Sequence, residues 1–443
     1  MMNAYRGKRV LIIGAARQGV ALARYLVNEG AVVTLNDKQS TEDLQPQIDK
    51  LANLPLHWVL GDHPLSLLDS TDLVCVSGGV PLSLPLIVEA LRRGIPLTND
   101  SQLFMDVVPA PVVGITGSAG KTTTTTLLGR MAEAEIKVPR KAWVGGNIGT
   151  PLIEFVSEIH PEDLIIQEFS SFQLELMTTS PHIAAILNIT PNHLDRHQEM
   201  GAYIHAKSNI LNFQKPGDIA VLNLDDQGSW NLRSIVKGSL ISFAKDEVTS
   251  SDTQVFLRNN WVIGRSVTTE TPLLDARLIR LPGAHNLSNV LAAATLAFAL
   301  NFSPNSIAAG VDGFNGVKHR LQVVREVNGV TWINDSIATT PERTLAAINS
   351  FTSPLILLLG GRDKNLPWEE LATVIHQRID HVILFGEAAE KIQKAIGKPA
   401  ASDQLKSVSS TGTLTAALER ALQLALPGDL VLLSPGATRF DAF

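Results

Sequence analysis

Gly114-Ile115-Thr116-Gly117-Ser118-Ala119-Gly120-Lys121-Thr122-Thr123 is the stretch that decides the fold. An apolar run, Val112 to Thr116, leads into a turn of small residues, and a helix is expected from about Lys121. In such a turn successive backbone N–H groups point at phosphate oxygens, and the helix N-terminus adds a favourable dipole. Lys121 can neutralise β/γ-phosphate charge, and Thr122 can offer its hydroxyl to Mg2+. The strict G-x-x-x-x-G-K-[ST] pattern fails, because Ile115 stands at its first glycine; G-x-x-G-K-T remains, with Gly114 upstream. The plain alternative is a glycine-rich turn with an exposed lysine. Strand context, Gly120-Lys121-Thr122 and the threonine run favour an ATP site.

Working outward, short apolar runs alternate with helical patterns. Val10–Ile13, Val32–Leu35 and Val74–Val76 read as buried strands, with helices over Gly19–Glu29 and Pro85–Gly94. This βαβ rhythm implies mostly parallel sheets and an α/β fold. Pro109-Ala110-Pro111 precedes a restart of the pattern. Strands at Leu164–Gln167 and Ile183–Asn188 follow, then a β-rich stretch from Ile219 to Leu281 and an Ala-rich helix, Asn286–Leu300. Past Gly313-Phe314-Asn315-Gly316, further strands are expected at Thr331–Asn334, Leu355–Leu359, His381–Phe385 and Leu430–Leu433. The chain thus divides into 1–107, 108–316 and 317–443.

Composition narrows the function. Of 443 residues, 45% are hydrophobic and 18% charged, an ordinary globular balance. With 37 Lys and Arg against 43 Asp and Glu, the net charge is -6, so no electrostatic footprint for nucleic acid exists. A lone cysteine, Cys75, excludes an internal disulfide and any Cys-rich metal cluster. No apolar run reaches the length of a spanning helix, and Arg17 and Gln18 interrupt the apolar start. A cytoplasmic protein is expected, with a peripheral membrane contact left open.

From the phosphate loop onward the chain resembles the Mur ligase family. Gly117-Ser118-Ala119-Gly120-Lys121-Thr122 resembles that family's loop, with Ala119 where Asn is usual. Trp143–Gly149 resembles its glycine–asparagine segment, and Glu168-Phe169-Ser170-Ser171-Phe172-Gln173-Leu174-Glu175 the E-x-S-S-F-Q-L-E stretch of its glutamate-adding branch. Asn188–His197, Gly283-Ala284-His285-Asn286 with Asn289, His319-Arg320-Leu321 and Asn334-Asp335-Ser336 match further motifs in family order. The resemblance implies a Rossmann-like N-terminal domain, a central P-loop ATPase-like domain and a C-terminal Rossmann-like domain. It also implies ATP-driven amide formation through an acyl phosphate, with UDP-N-acetylmuramoyl-L-alanine and glutamate as substrates and a monomeric enzyme.

The resemblance further implies roles. ATP would meet Gly117, Ser118, Ala119, Gly120, Lys121, Thr122, Thr123, Asn286 and Asn289, with Arg320 and Asp335 reaching it from the third domain. Two Mg2+ ions would be held by Thr122, Glu168, His193 and a carbamylated Lys207; Lys121 completes the catalytic set. By position alone, Glu168 reads as a strand-end surface charge, Lys207 as a solvated helix lysine and Asp335 as solvent-facing. Asn286 and Asn289 share a helix face, and helix capping by Asn286 is the alternative. The Gly14–Gly19 turn partly matches a dinucleotide fingerprint, with Ala16 at its middle glycine. The family assigns this turn to the uridine diphosphate, with Ala15, Ala16, Asp37, Ser77, Gly78 and Gly79 as contacts and Asn147, Ser170 and His193 nearer the muramoyl-alanine. Glutamate would meet Thr339, Lys364 and Arg439. Ile337 stands where the branch has lysine, Thr340 where it has asparagine and Arg439 where it has serine. An L-glutamate-adding variant, a related Mur or folylpolyglutamate-type ligase, an NAD(P)-dependent oxidoreductase and a non-catalytic nucleotide-binding relative are the competing readings.

Overall fold

The computed structural model describes residues 4–190, 199–248, 253–281, 283–362 and 366–437. Among them, three sheets follow one another along the chain. The first is wholly parallel, in the order β3-β2-β1-β4-β5, from β1 (Arg9–Ile13), β2 (Val32–Asp37), β3 (Leu56–Leu60), β4 (Leu73–Val76) and β5 (Leu97–Thr98). Val10, Leu11, Ile12 and Ile13 are all buried, because helices such as Arg17–Asn28 and Pro85–Arg92 pack apolar faces on the sheet. The strand order reverses between β1 and β4, so the turns after those strands border one crevice.

The second sheet comprises β6 (Val112–Thr116), β7 (Ala142–Gly146), β8 (Leu164–Glu168), β9 (Ile183–Ile186), β10 (Ile219–Asn223), β11 (Ser239–Phe243), β12 (Gln254–Arg258), β13 (Trp261–Arg265) and β14 (Glu270–Asp275). Its order is β14-β13-β12-β11-β10-β9-β6-β8-β7, and only the β12-β13-β14 edge is antiparallel. Every residue of β6 is buried. The Lys121–Glu135 helix crosses one face beside the apolar Ala284–Ala299 helix. Because β6 has β8 on one side and β9 on the other, the loop after β6 has the ends of both strands as neighbours. Ala21, Phe104, Val112, Leu152 and Ile165 share a core that joins the first sheet's layer to the second's, and residues up to Phe314 pack as one unit.

The second unit, Asn315–Phe443, has a sheet of order β15-β16-β20-β17-β18-β19. Its strands are β15 (Gln322–Val327), β16 (Val330–Asn334), β17 (Leu355–Gly360), β18 (His381–Phe385), β19 (Ser407–Thr411) and β20 (Leu430–Gly436), parallel except for the β15–β16 hairpin. Leu355 to Leu359 are all buried, since helices cover both faces of β17.

Candidate active site

The loop after β6 is braced by its neighbours. Ser118 N donates to Asn188 O at 3.0 Å, and Ala119 N donates to Asn188 Oδ1 at 2.8 Å. Ser118 Oγ donates to Thr190 O at 2.9 Å. Gly120 caps the following helix at φ +82°, a conformation costly for any residue with a Cβ. Asn289 makes that glycine doubly required: a Cβ at 120 would lie 2.1 Å from Asn289 Oδ1. Asn289 is held in turn, its Nδ2 donating to Asn286 Oδ1 at 3.3 Å. The two asparagines therefore share one helix face beside the loop, and the cap of their helix is Gly283 rather than Asn286. Lys121 Nζ folds back over the loop and donates to Gly117 O at 2.8 Å.

Beneath the loop lies the acidic centre. Glu168, at the end of β8, is only 1% exposed. Thr122 Oγ1 donates to its Oε2 at 2.9 Å, and Asn147 Nδ2 donates to its Oε1 at 2.8 Å. Glu168 is therefore not the surface charge that its strand-end position suggests. Lys207, on the Met200–Asn212 helix, is likewise buried rather than solvated, at 1% exposure. Its Nζ donates to Gly117 O at 3.0 Å and to Thr116 Oγ1 at 3.3 Å, and lies 4.8 Å from the Tyr203 ring centre. Burial drives its pKa well below the usual lysine value; the charge of Lys121 pushes the same way, and Glu168 opposes. The donor set fits Mg2+: a threonine hydroxyl and a carboxylate are hard oxygen ligands, and phosphate oxygens and water complete such a site. Among the described residues no cluster of three or more His, Cys, Asp or Glu side chains forms a metal cage.

A cleft of about 290 Å³ opens between the two sheets' turns. Ala16, Gly78, Gly79, Asn147 and Ser170 line it, as do Arg17, Gln18 and Phe172, which the sequence reading passed over. Gly14 sets this geometry: at φ +97°, with Ser77 Cβ 2.9 Å from where its own Cβ would be, it turns Ala15 inward. Ala15 N donates to the buried Asp37 Oδ2 at 2.7 Å, and Ser77 Oγ donates to Gly14 O at 2.9 Å. Ala15, Asp37 and Ser77 thus brace the turn from below, while Arg17 and Gln18 present the long side chains. The readable signal was a cation and an amide just after the glycine turn. Arg17 Nη2 donates to Asn147 O at 3.0 Å, and Gly78 N donates to Gln18 Oε1 at 3.1 Å.

In the second unit Asp335 is 5% exposed, not solvent-facing. Its Oδ1 accepts from Leu321 N at 3.1 Å and its Oδ2 from Ser434 Oγ at 3.0 Å. Burial raises its pKa to about 6, against those two hydrogen bonds and the charges of Arg320 and Arg343. Arg320 and Thr339 are half-buried, and Ile337 is 40% exposed. His193, Lys364 and Arg439 lie outside the described residues.

A phosphate loop closing on a buried carboxylate, whose partner Asn147 lines a cleft shared with a second glycine turn, defines an α/β protein of the phosphate-loop class. Residues 8–99 match the Mur ligase MurD-like N-terminal domain, 115–297 the Mur ligase middle domain and 319–436 the Mur ligase glutamate ligase domain. The chain belongs to the Mur ligase family. It is 39% identical over 436 residues to UDP-N-acetylmuramoylalanine–D-glutamate ligase of Symbiobacterium thermophilum, covering 98% of this chain and 94% of that protein. The enzyme of the same name from Pelotomaculum thermopropionicum is 37% identical, over 100% and 96%. Among solved structures, UDP-N-acetylmuramate-alanine ligase MurC of Thermotoga maritima superposes with a TM-score of 0.54 at 18% identity, covering 97% of this chain and 96% of that one. MurF ligase of the same organism, in complex with ADP, gives 0.51 at 18% identity, over 98% and 92%.

Proposed function

We infer that this chain is an ATP-dependent ligase that joins D-glutamate to UDP-N-acetylmuramoyl-L-alanine in the synthesis of peptidoglycan precursors. One observation carries the reading: Thr122 and Asn147 both hold Glu168 under the Lys121 loop, in a chain whose full-length relatives are named for that reaction. The alanine carboxylate attacks the γ-phosphorus of ATP, an O–P bond forms and ADP leaves. The glutamate amine then attacks the acyl carbon, a C–N bond forms and the C–O bond to phosphate breaks. Both steps crowd anions together, so the site must supply cations and position more than a strong nucleophile.

The residues divide that work. The backbone from Gly117 to Thr123 cradles the phosphates and Lys121 screens them, while Asn286 and Asn289 meet the nucleotide. Thr122 and Glu168 hold Mg2+, which when bound draws charge from the transferring phosphoryl group. His193 and a carbamylated Lys207 serve a second ion. The burial that disfavours the Lys207 ammonium supports the carbamate, because the neutral amine is the form that captures CO2. Ala16, Gly78, Gly79, Asn147 and Ser170 take the UDP-sugar, braced by Ala15, Asp37 and Ser77. In the second unit, the family resemblance assigns Arg320 and Asp335 to ATP and Thr339, Lys364 and Arg439 to glutamate. The working segments are 1–107, 108–316 and 317–443, and the enzyme acts as a cytoplasmic monomer; among the described residues no helix is long and apolar enough to cross a membrane.

The test is coupled phosphate release with ATP, Mg2+ and UDP-N-acetylmuramoyl-L-alanine, comparing D- with L-glutamate. Release with D-glutamate alone supports the reading. Release with L-glutamate only, or with neither, refutes it.

A further inference from the structure

Four consecutive side chains reach from the first sheet's layer into the second's. Asn99, Asp100, Ser101 and Gln102 open the Asp100–Val107 helix, and all four are buried. Asn99 Nδ2 donates to Gln173 O at 2.7 Å, and Gln102 Oε1 accepts from Thr178 N at 2.7 Å. Gln167 Nε2 donates to Ser101 Oγ at 3.5 Å, and Gln173 Nε2 donates to Asp100 Oδ2 at 3.4 Å. Gln173 is wholly buried, and its other arm holds the cleft: Oε1 accepts from Ser170 N at 2.9 Å and from Ser170 Oγ at 3.0 Å. Asp100 Oδ1 is buried with no hydrogen-bond partner. A buried carboxylate with one bare oxygen is an expensive way to fasten two layers when three neutral amide and hydroxyl contacts already do so.

We propose that Asp100 is a positioning residue of the substrate cleft, setting Ser170 through Gln173. The proposal rests on the function inferred above. Arg17, which donates to Asn147 O across the cleft, adds a cation whose charge favours the ionised form of Asp100. A charge-assisted hydrogen bond is about twice as strong as a neutral one, so the ionised form holds Gln173, and with it Ser170, more firmly. Burial raises the Asp100 pKa to about 6, opposed by the Gln173 hydrogen bond, by backbone N–H groups and by Arg17. The other ionisable groups close by are the neutral, buried Cys75 thiol on β4 and Asp106, which accepts from Gln102 Nε2 at 2.6 Å on the same helix.

The experiment measures UDP-N-acetylmuramoyl-L-alanine and ATP binding to the full chain and to Asp100→Asn, with thermal melts, across pH. At about pH 8 the variant should bind the UDP-sugar about tenfold more weakly, with ATP affinity unchanged. Wild-type UDP-sugar affinity should fall through about pH 6 as Asp100 protonates, and the variant should lack that limb. The variant should melt no lower than wild type at about pH 8, because it lacks a costly buried charge. Equal UDP-sugar affinity and an unchanged pH profile in the variant would overturn the proposal, as would ATP and UDP-sugar affinity falling together with a lower melting point. A wild-type chain that binds no UDP-sugar refutes the inferred function itself, and this proposal with it.

Discussion

Glu168 takes one hydrogen bond from each side of the site, Thr122 in the phosphate-loop helix and Asn147 at the cleft. It therefore links the phosphate-loop helix to the cleft. Glu168→Gln keeps the shape but loses the charge a cation needs, and steady-state assays should show kcat lower by about 100-fold or more with the melting point held. Burial matters at Lys207 as well. Grown or exchanged with carbon-13 bicarbonate, the protein should show a carbamate NMR signal that Lys207→Ala lacks, and activity should fall when CO2 is stripped and return when it is restored. Without such a signal the carbamate assignment fails. Asp335 gives a pH signature in the second unit. Its folded pKa, about 6, lies above the 3.8 of an ordinary carboxyl, so its contribution to stability is full below the lower value and lost as pH rises through the upper. Thermal melts between about pH 4 and about pH 7 should show wild type losing stability relative to Asp335→Asn as pH rises; parallel curves would contradict this.

At the scale of elements, the loop between β6 and the Lys121–Glu135 helix depends on one backbone conformation at Gly120 and on the asparagine packed against it. Gly120→Ala should cost about 1–2 kcal/mol from the left-handed backbone alone, and displace Asn289 besides. Denaturant melts and ATP binding would both register it; a variant with native stability and ATP affinity would show that the loop tolerates a side chain there. Much of this element level was legible in the chain itself. Apolar runs such as Val10–Ile13 and Leu355–Leu359 became buried parallel strands, since a strand in a sheet covered on both faces has no solvent side and is apolar throughout. The helix start at Lys121 followed from the glycine before it. What stayed hidden was long-range. A lysine on a helix is ordinarily solvated, yet Lys207 is received by Thr116 and Gly117, far away in sequence, and by Tyr203 one helical turn before it. Arg17 and Gln18 line the cleft because Gly14 turns the chain at φ +97°; the glycine marks the turn, but which of the following side chains enters the cleft depends on the facing layer. Asn99-Asp100-Ser101-Gln102 form no recognisable motif, and their partners at 167–179 lie far along the chain.

For the whole molecule, the first two sheets share a core and fold as one unit to Phe314, whereas Asn315–Phe443 carries its own sheet and its own buried clusters. Such a segment meets the requirements of an independent domain. Expressed alone, residues 315–443 should give a cooperative melt by circular dichroism, and ATP should leave that melt unshifted; a fragment with no transition would contradict the division. The central claim concerns the reaction that the first unit's site supports: phosphate is transferred to a substrate carboxylate before any amide forms. UDP-N-acetylmuramoyl-L-alanine labelled with oxygen-18 in its carboxylate tests this most directly. The account predicts that one labelled oxygen appears in the released phosphate for each glutamate joined; phosphate that carries no label would contradict it.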